Sequence, residues 1–158
     1  MAEPLADRVI RRIGQAAGLY HRLVMLVAPA GAGKTAALHD VHQRTDVPLL
    51  NVNLELSRRM LELTERQRAL QFPRLLSEIV GASAADVVLL DNVEVLFDVS
   101  LKQDPLRLLQ GLSRNKTVVA ACGGSIAGEH MLYATPDHPE YKRYPLRDFL
   151  VVVPEAAA

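Results

Sequence analysis

At 158 residues, with 49% apolar and 23% charged content, the chain has the bulk for one domain with a real core and little room for a second. Its 18 basic residues balance 18 acidic ones, so no global field draws it to nucleic acid or anionic lipid, and any DNA contact needs a local basic patch. A single cysteine, Cys122, excludes an internal disulfide; with no apolar leader and no run of membrane-spanning length, the expectation is a cytoplasmic protein with no membrane segment.

Taken in order, residues Glu3 to Ala17 have the spacing of an amphipathic helix, with Leu5, Val9, Ile13 and Ala16 three and four apart. Leu23 to Val27 is a compact apolar run that leads into Ala28-Pro29-Ala30-Gly31-Ala32-Gly33-Lys34-Thr35, and a helical segment over Ala36 to Arg44 follows. Strand, glycine loop and helix in that order are the context of a P-loop, or Walker A motif. Gly31 and Gly33 allow a tight turn in which successive backbone N–H groups face one anion. The helix N-terminus adds its partial positive charge at the same point. Pro29, Ala30, Gly31, Ala32, Gly33, Lys34, Thr35 and Ala36 are therefore the expected ATP cradle, with Lys34 on the β/γ-phosphates and the Thr35 hydroxyl on Mg²⁺. Ala28 stands where the signature more often has Gly. His39 and His42 share a helical face, but without a third ligand they read as solvated.

Pro48 to Val52 reads as a short strand, with Asn51 and Asn53 near the end that faces a ligand crevice. Leu54 to Gln71 is helical in composition, with Glu55–Arg59 and Glu62–Arg66 as i,i+4 pairs. These glutamates neutralise what would otherwise be an arginine stripe for nucleic acid. Pro73 suits the first turn of a short second helix ending near Gly81. Asp86 to Leu90 is a buried parallel strand running into Asp91, and Asp104-Pro105 is a helix start with an N-cap aspartate. Thr117 to Cys122 and Phe149 to Val153 complete five strands. Residues 134–147 carry three prolines and no clear element, and residues 154–158 read as a flexible tail after a single domain over 1–153. The expected fold class is α/β: a three-layer P-loop NTPase fold with a five-stranded parallel sheet, helices on both faces and no C-terminal lid domain.

Val87-Val88-Leu89-Leu90-Asp91 reads as a Walker B motif, a carboxylate ending a strand expected beside the P-loop strand, where it holds Mg²⁺ through water. The order of P-loop and Walker B resembles that of the additional-strand ATPases. That resemblance implies a catalytic glutamate directly after the Walker B aspartate, where this chain has Asn92. Asn92 could orient a water without taking its proton, and Glu94 is the nearest candidate base. The end of the fourth strand, Cys122-Gly123-Gly124-Ser125, leaves Ser125 or nothing as a polar γ-phosphate sensor. Cys122 reads as a small buried hydrophobe. Resemblance to AAA+-like proteins, which carry an arginine finger for a neighbouring subunit's nucleotide just before the last strand, implies Arg143 and then Arg147 as the candidates.

One strand lies in sequence between P-loop and Walker B, an order that resembles the additional-strand ATPases, which include the AAA+ proteins. Over nearly its whole length the chain also resembles the small P-loop protein of BREX (bacteriophage exclusion) defence systems, the BrxF-like family. That resemblance rests on the P-loop, on Asn51-Val52-Asn53-Leu54-Glu55-Leu56-Ser57, on Leu90-Asp91-Asn92-Val93-Glu94-Val95-Leu96-Phe97 and on the Asp104-Pro105-Leu106 helix. It implies an ATP-binding component of an anti-phage system that acts with other BREX proteins. The absence of a lid after the fifth strand leads to the expectation of homo-oligomer formation on ATP binding, one subunit covering the next subunit's site. Three functional classes stay open at this point: an Mg-ATP-hydrolysing switch, a non-hydrolysing nucleotide-gated adaptor, and a small-molecule kinase.

Overall fold

In the computed structural model, which describes residues 3–154, five parallel strands form a sheet in the order β2-β3-β4-β1-β8. They are β1 (Leu23–Ala28), β2 (Leu49–Asn51), β3 (Val87–Asp91), β4 (Thr117–Gly123) and β8 (Leu150–Val152). The three inner strands are the most buried ones, and they read as near-continuous apolar runs, as burial on both sheet faces requires. All six residues of β1 are buried. The chain residues 155–158, read from sequence as tail, lie outside the described residues.

Period-two alternation splits each strand between two cores. Val24, Leu26, Leu89, Val119 and Ala121 meet α1 (Leu5–Ala16) and α2 (Lys34–Thr45) on one face. Met25, Val27, Leu90, Val118 and Ala120 meet α3 (Val52–Met60), α4 (Glu65–Gly81) and α5 (Pro105–Leu112) on the other. The expected three-layer α/β architecture is thus present.

Several elements differ from the sequence reading. The helix expected over 54–71 is two helices, α3 and α4, with a break at residues 61–64. Thr64 sets the second start: its hydroxyl accepts from the Gln67 N–H while the Gln67 side chain accepts from the Thr64 N–H, a capping box. The break separates Glu62 from Arg66, and of the two expected pairs only Arg59–Glu55 forms, at 2.8 Å. Pro73 lies inside α4 rather than at a helix start. Its missing N–H leaves the Ala69 carbonyl without the usual helical donor, and Gln103 Nε2 donates to that carbonyl at 2.9 Å. A polar side chain from a distant loop thus completes a proline-containing helix.

The larger correction concerns residues 124–147. They form a second, antiparallel sheet of β5 (Ser125–Ala127), β6 (His130–Tyr133) and β7 (Lys142–Pro145), in the order β5-β6-β7. Gly124 makes the turn into it: a Cβ there would meet the Leu132 carbonyl oxygen at 2.5 Å. The Gly124 N–H donates to the Ala28 carbonyl at 3.2 Å, seating this sheet against the end of the P-loop strand. The segment before β7 is braced internally. His138 N–H donates to the Thr135 carbonyl at 2.8 Å and Thr135 Oγ1 donates to Asp137 Oδ1 at 2.6 Å. Among the described residues no helix is long and apolar enough to cross a membrane.

Candidate functional site

The loop between β1 and α2 has the conformation its glycines allow. Gly31 and Gly33 have φ of 80° and 90°, in the left-handed region that favours glycine. Gly33 is also the N-cap of α2 and no side chain caps that helix, so its first-turn N–H groups lie open to an anion. Pro29, Ala30, Gly31, Gly33, Thr35 and Ala36 are exposed, and Ala32 and Lys34 partly so. Lys34 Nζ donates to the carbonyls of Ala28 and Pro29 at 2.9 and 3.1 Å, folded over the loop it would share with phosphate.

The expected Walker B carboxylate meets this loop, but not from the neighbouring strand. β4 lies between β1 and β3, so Asp91 reaches the site from two strands away. Asp91 is buried, with 7% of its surface exposed, and its Oδ2 accepts from Thr35 Oγ1 at 2.8 Å. The hydroxyl and carboxylate that the sequence assigns to one divalent cation therefore converge. Two hard oxygen donors beside an uncapped helix N-terminus fit an Mg-nucleotide.

Asn92 has φ 56° and ψ 48°, a left-handed residue between β3 and the 3₁₀ helix Val93–Phe97. Asparagine is one of the few non-glycine residues that visit that region routinely, so it suits this turn. Asn92 is exposed, and its N–H is bound by Asp91 Oδ1 at 2.9 Å. The turn carries Glu94 back over the sheet, beside Lys34 and Gly123. Position 123 is adjacent to Glu94: a Cβ there would lie 4.0 Å from Glu94 Oε1, in ordinary contact. Glu94 Oε2 is buried without a hydrogen-bond partner. Burial pushes the Glu94 carboxyl above the usual glutamate range and the Asp91 charge adds to this, against opposing pulls from backbone hydrogen bonds and Lys34.

Glu94 walls two cavities. One, of about 510 Å³, also touches Lys34, Ser125, Leu132, His138 and Glu140. The other, of about 360 Å³, touches Asn53, Asn92 and Val95. Ser125, the remaining sensor candidate, thus lies on the same cavity as Lys34. Asn51 has a structural task instead, its side chain accepting from the Leu54 N–H to cap α3. Cys122 is buried with its thiol pushed up to about 12 by desolvation, as an inert core residue would be. Among the described residues there is no group of three or more His, Cys, Asp or Glu that could hold a metal ion.

The sequence reading missed Tyr133 and, within the 134–147 stretch it took as having no clear element, the strand β7. Tyr133 stacks on Phe97 of the Glu94-bearing turn, with ring centroids 3.7 Å apart and planes 15° apart. Burial and the Glu140 carboxylate push its phenol up to about 12. The dipeptide Gly128-Glu129, between paired Ala127 and His130, was the available signal for a hairpin, with Gly128 at φ 59°. Arg143 and Arg147 are both exposed, and among the described residues neither forms a salt bridge. They occupy different places: Arg143 is within β7, whereas Arg147 follows it, next to the pairing of Leu146 N–H with the Glu129 carbonyl at 2.9 Å.

No protein-family profile matches the chain, and no curated protein matches it in sequence. Solved structures do. One is C. elegans PCH-2, at 18% identity and TM-score 0.45, covering 77% of this chain and 37% of that one. Another is Drosophila ORC bound to DNA, at 17% identity and TM-score 0.47, covering 95% of this chain and 42% of that one. The chain therefore spans less than half the length of each of these two solved chains.

Proposed function

We propose that this chain binds Mg-ATP and hydrolyses it. The observation that carries the reading is the 2.8 Å contact of the Thr35 hydroxyl with the Asp91 carboxylate, at the mouth of a loop whose helix N-terminus is uncapped. Loop N–H groups and Lys34 bind the phosphates, and Thr35 and Asp91 hold the cation. The bound Mg²⁺ supplies charge that offsets the phosphate oxygens. Glu94 accepts the proton of the attacking water; burial raises its affinity for a proton, which strengthens it as a base. Glu94 supports hydrolysis over the adaptor reading, because it provides the carboxylate that Asn92 does not.

Two finer assignments follow. Assembly of subunits, or binding to a partner, depends on nucleotide, supported by the open, solvent-facing loop. The setting is a BREX-type anti-phage system acting with other BREX proteins, supported by the resemblance of the 51–57 and 90–97 segments. The deciding experiment is phosphate release from Mg-ATP across a range of protein concentrations, with sedimentation in parallel. Turnover that rises more steeply than protein concentration, together with ATP-dependent assembly, is expected. Tight binding without turnover at any concentration makes the chain an adaptor, and transfer to a metabolite makes it a kinase.

A further inference from the structure

The register of the antiparallel sheet pairs Ser125 with Leu132 and Leu132 with Arg143. Directly opposed residues in antiparallel strands project to the same face, so these three form one row across the sheet. Ser125 and Leu132 both line the cavity that Lys34 and Glu94 share. Arg143 is one strand further along that row, a step of about 4.8 Å, within reach of a side chain with three methylenes and a guanidinium. Its Nη2 lies 3.4 Å from His130 Nδ1, on the same face and away from the cavity. Among the described residues it has no carboxylate partner.

The cavity has a charge imbalance that a phosphate would worsen. It sets the carboxyls of Glu94 and Glu140 against the single ammonium of Lys34. β4 ends at Gly123 and Gly124 follows it, so the side-chain donors on the cavity wall near that end are the uncharged Ser125 hydroxyl and Lys34, with no arginine among them. Resting on the nucleotide-binding reading, we infer that Arg143 acts in cis. It swings across Leu132 and donates to the terminal phosphate of the nucleotide held by its own subunit, in place of a finger offered to a neighbour.

Mixing subunits tests this directly. Arg143→Ala is expected to lower turnover about 10²–10³-fold, the effect of losing one donor to the transition state, with Mg-ATP affinity changed less than tenfold. Arg143→Lys recovers part of the loss, and both variants melt with the wild type because the side chain is exposed. Lys34→Ala subunits mixed with Arg143→Ala subunits show no recovery of activity, since neither chain has a complete site. Recovery in the mixture means that Arg143 works in trans and overturns the inference, as does wild-type turnover by Arg143→Ala. A wild type that binds Mg-ATP without turning it over overturns this inference along with hydrolysis, while nucleotide binding stands. A wild type that does not bind Mg-ATP overturns the underlying reading itself.

Discussion

The Thr35 hydroxyl donates to Asp91 Oδ2 at 2.8 Å, joining the start of α2 to the end of β3 across the intervening strand β4. Neither residue has a side-chain role in the core, and Asp91 is one of three buried polar or charged residues among those described. A buried carboxylate that accepts from one hydroxyl and one backbone N–H, next to an uncapped helix, is arranged for a cation.

Because the two side chains form one unit, their substitutions are not additive. Thr35→Ala and Asp91→Asn each weaken Mg-dependent ATP binding about tenfold to a hundredfold, the range of a charged hydrogen bond. The double variant loses little more than the worse single one. Calorimetric titration with and without Mg²⁺ measures this, and all three variants should bind alike once the cation is chelated.

Glu94→Gln lowers turnover about 10²–10⁴-fold and leaves ATP binding intact. Burial raises the Glu94 carboxyl, so the base is protonated and idle at pH values where an ordinary glutamate is already ionised. Wild-type turnover therefore rises with pH through a midpoint above the normal glutamate range, and that limb vanishes in the variant. The stability effect has the same origin. The fold holds the Glu94 proton more tightly than the unfolded chain does, so stability falls as pH rises from the unfolded value to the raised one, then levels off.

Asn92 tests whether backbone or chemistry dictates that position. With φ 56°, Asn92→Gly is near neutral for stability, whereas Asn92→Val costs about 1–2 kcal/mol. Asn92→Glu also destabilises and brings no gain in turnover, because Glu94 already supplies the carboxylate. Urea unfolding and a steady-state assay separate the two effects.

Gln103→Leu leaves the Ala69 carbonyl without a donor and costs about 1–3 kcal/mol. Adding Pro73→Ala to that variant restores most of the loss, since residue 73 then supplies its own N–H. The double-mutant cycle in urea reads the coupling between these two positions.

Local rules carried the sequence reading furthest where one short segment holds all the information. The Gly31/Gly33 loop, the Asp104 cap on α5 and the apolar run into Asp91 were each legible in this way. Elements fixed by distant partners were not. Pro73 reads as a helix start until Gln103 is brought to Ala69, 34 residues away in sequence. The hairpin over 125–133 was hidden because Gly124 looks like a lost sensor until the Leu132 carbonyl is seen to need its hydrogen. Strand order was legible only as sequence order, so Asp91 was expected next to the P-loop strand. Insertion of β4 between the two is a long-range pairing that no local pattern records.

The most direct test of the account is titration of Mg-ATP into wild-type protein and into Lys34→Ala. Lys34 contacts only loop carbonyls, so its loss leaves the fold intact and removes one charged donor. Saturable, Mg-dependent binding by the wild type that weakens about tenfold to a hundredfold in the variant is the predicted result. Equal binding by the two proteins, or none by a folded wild type, contradicts the nucleotide site.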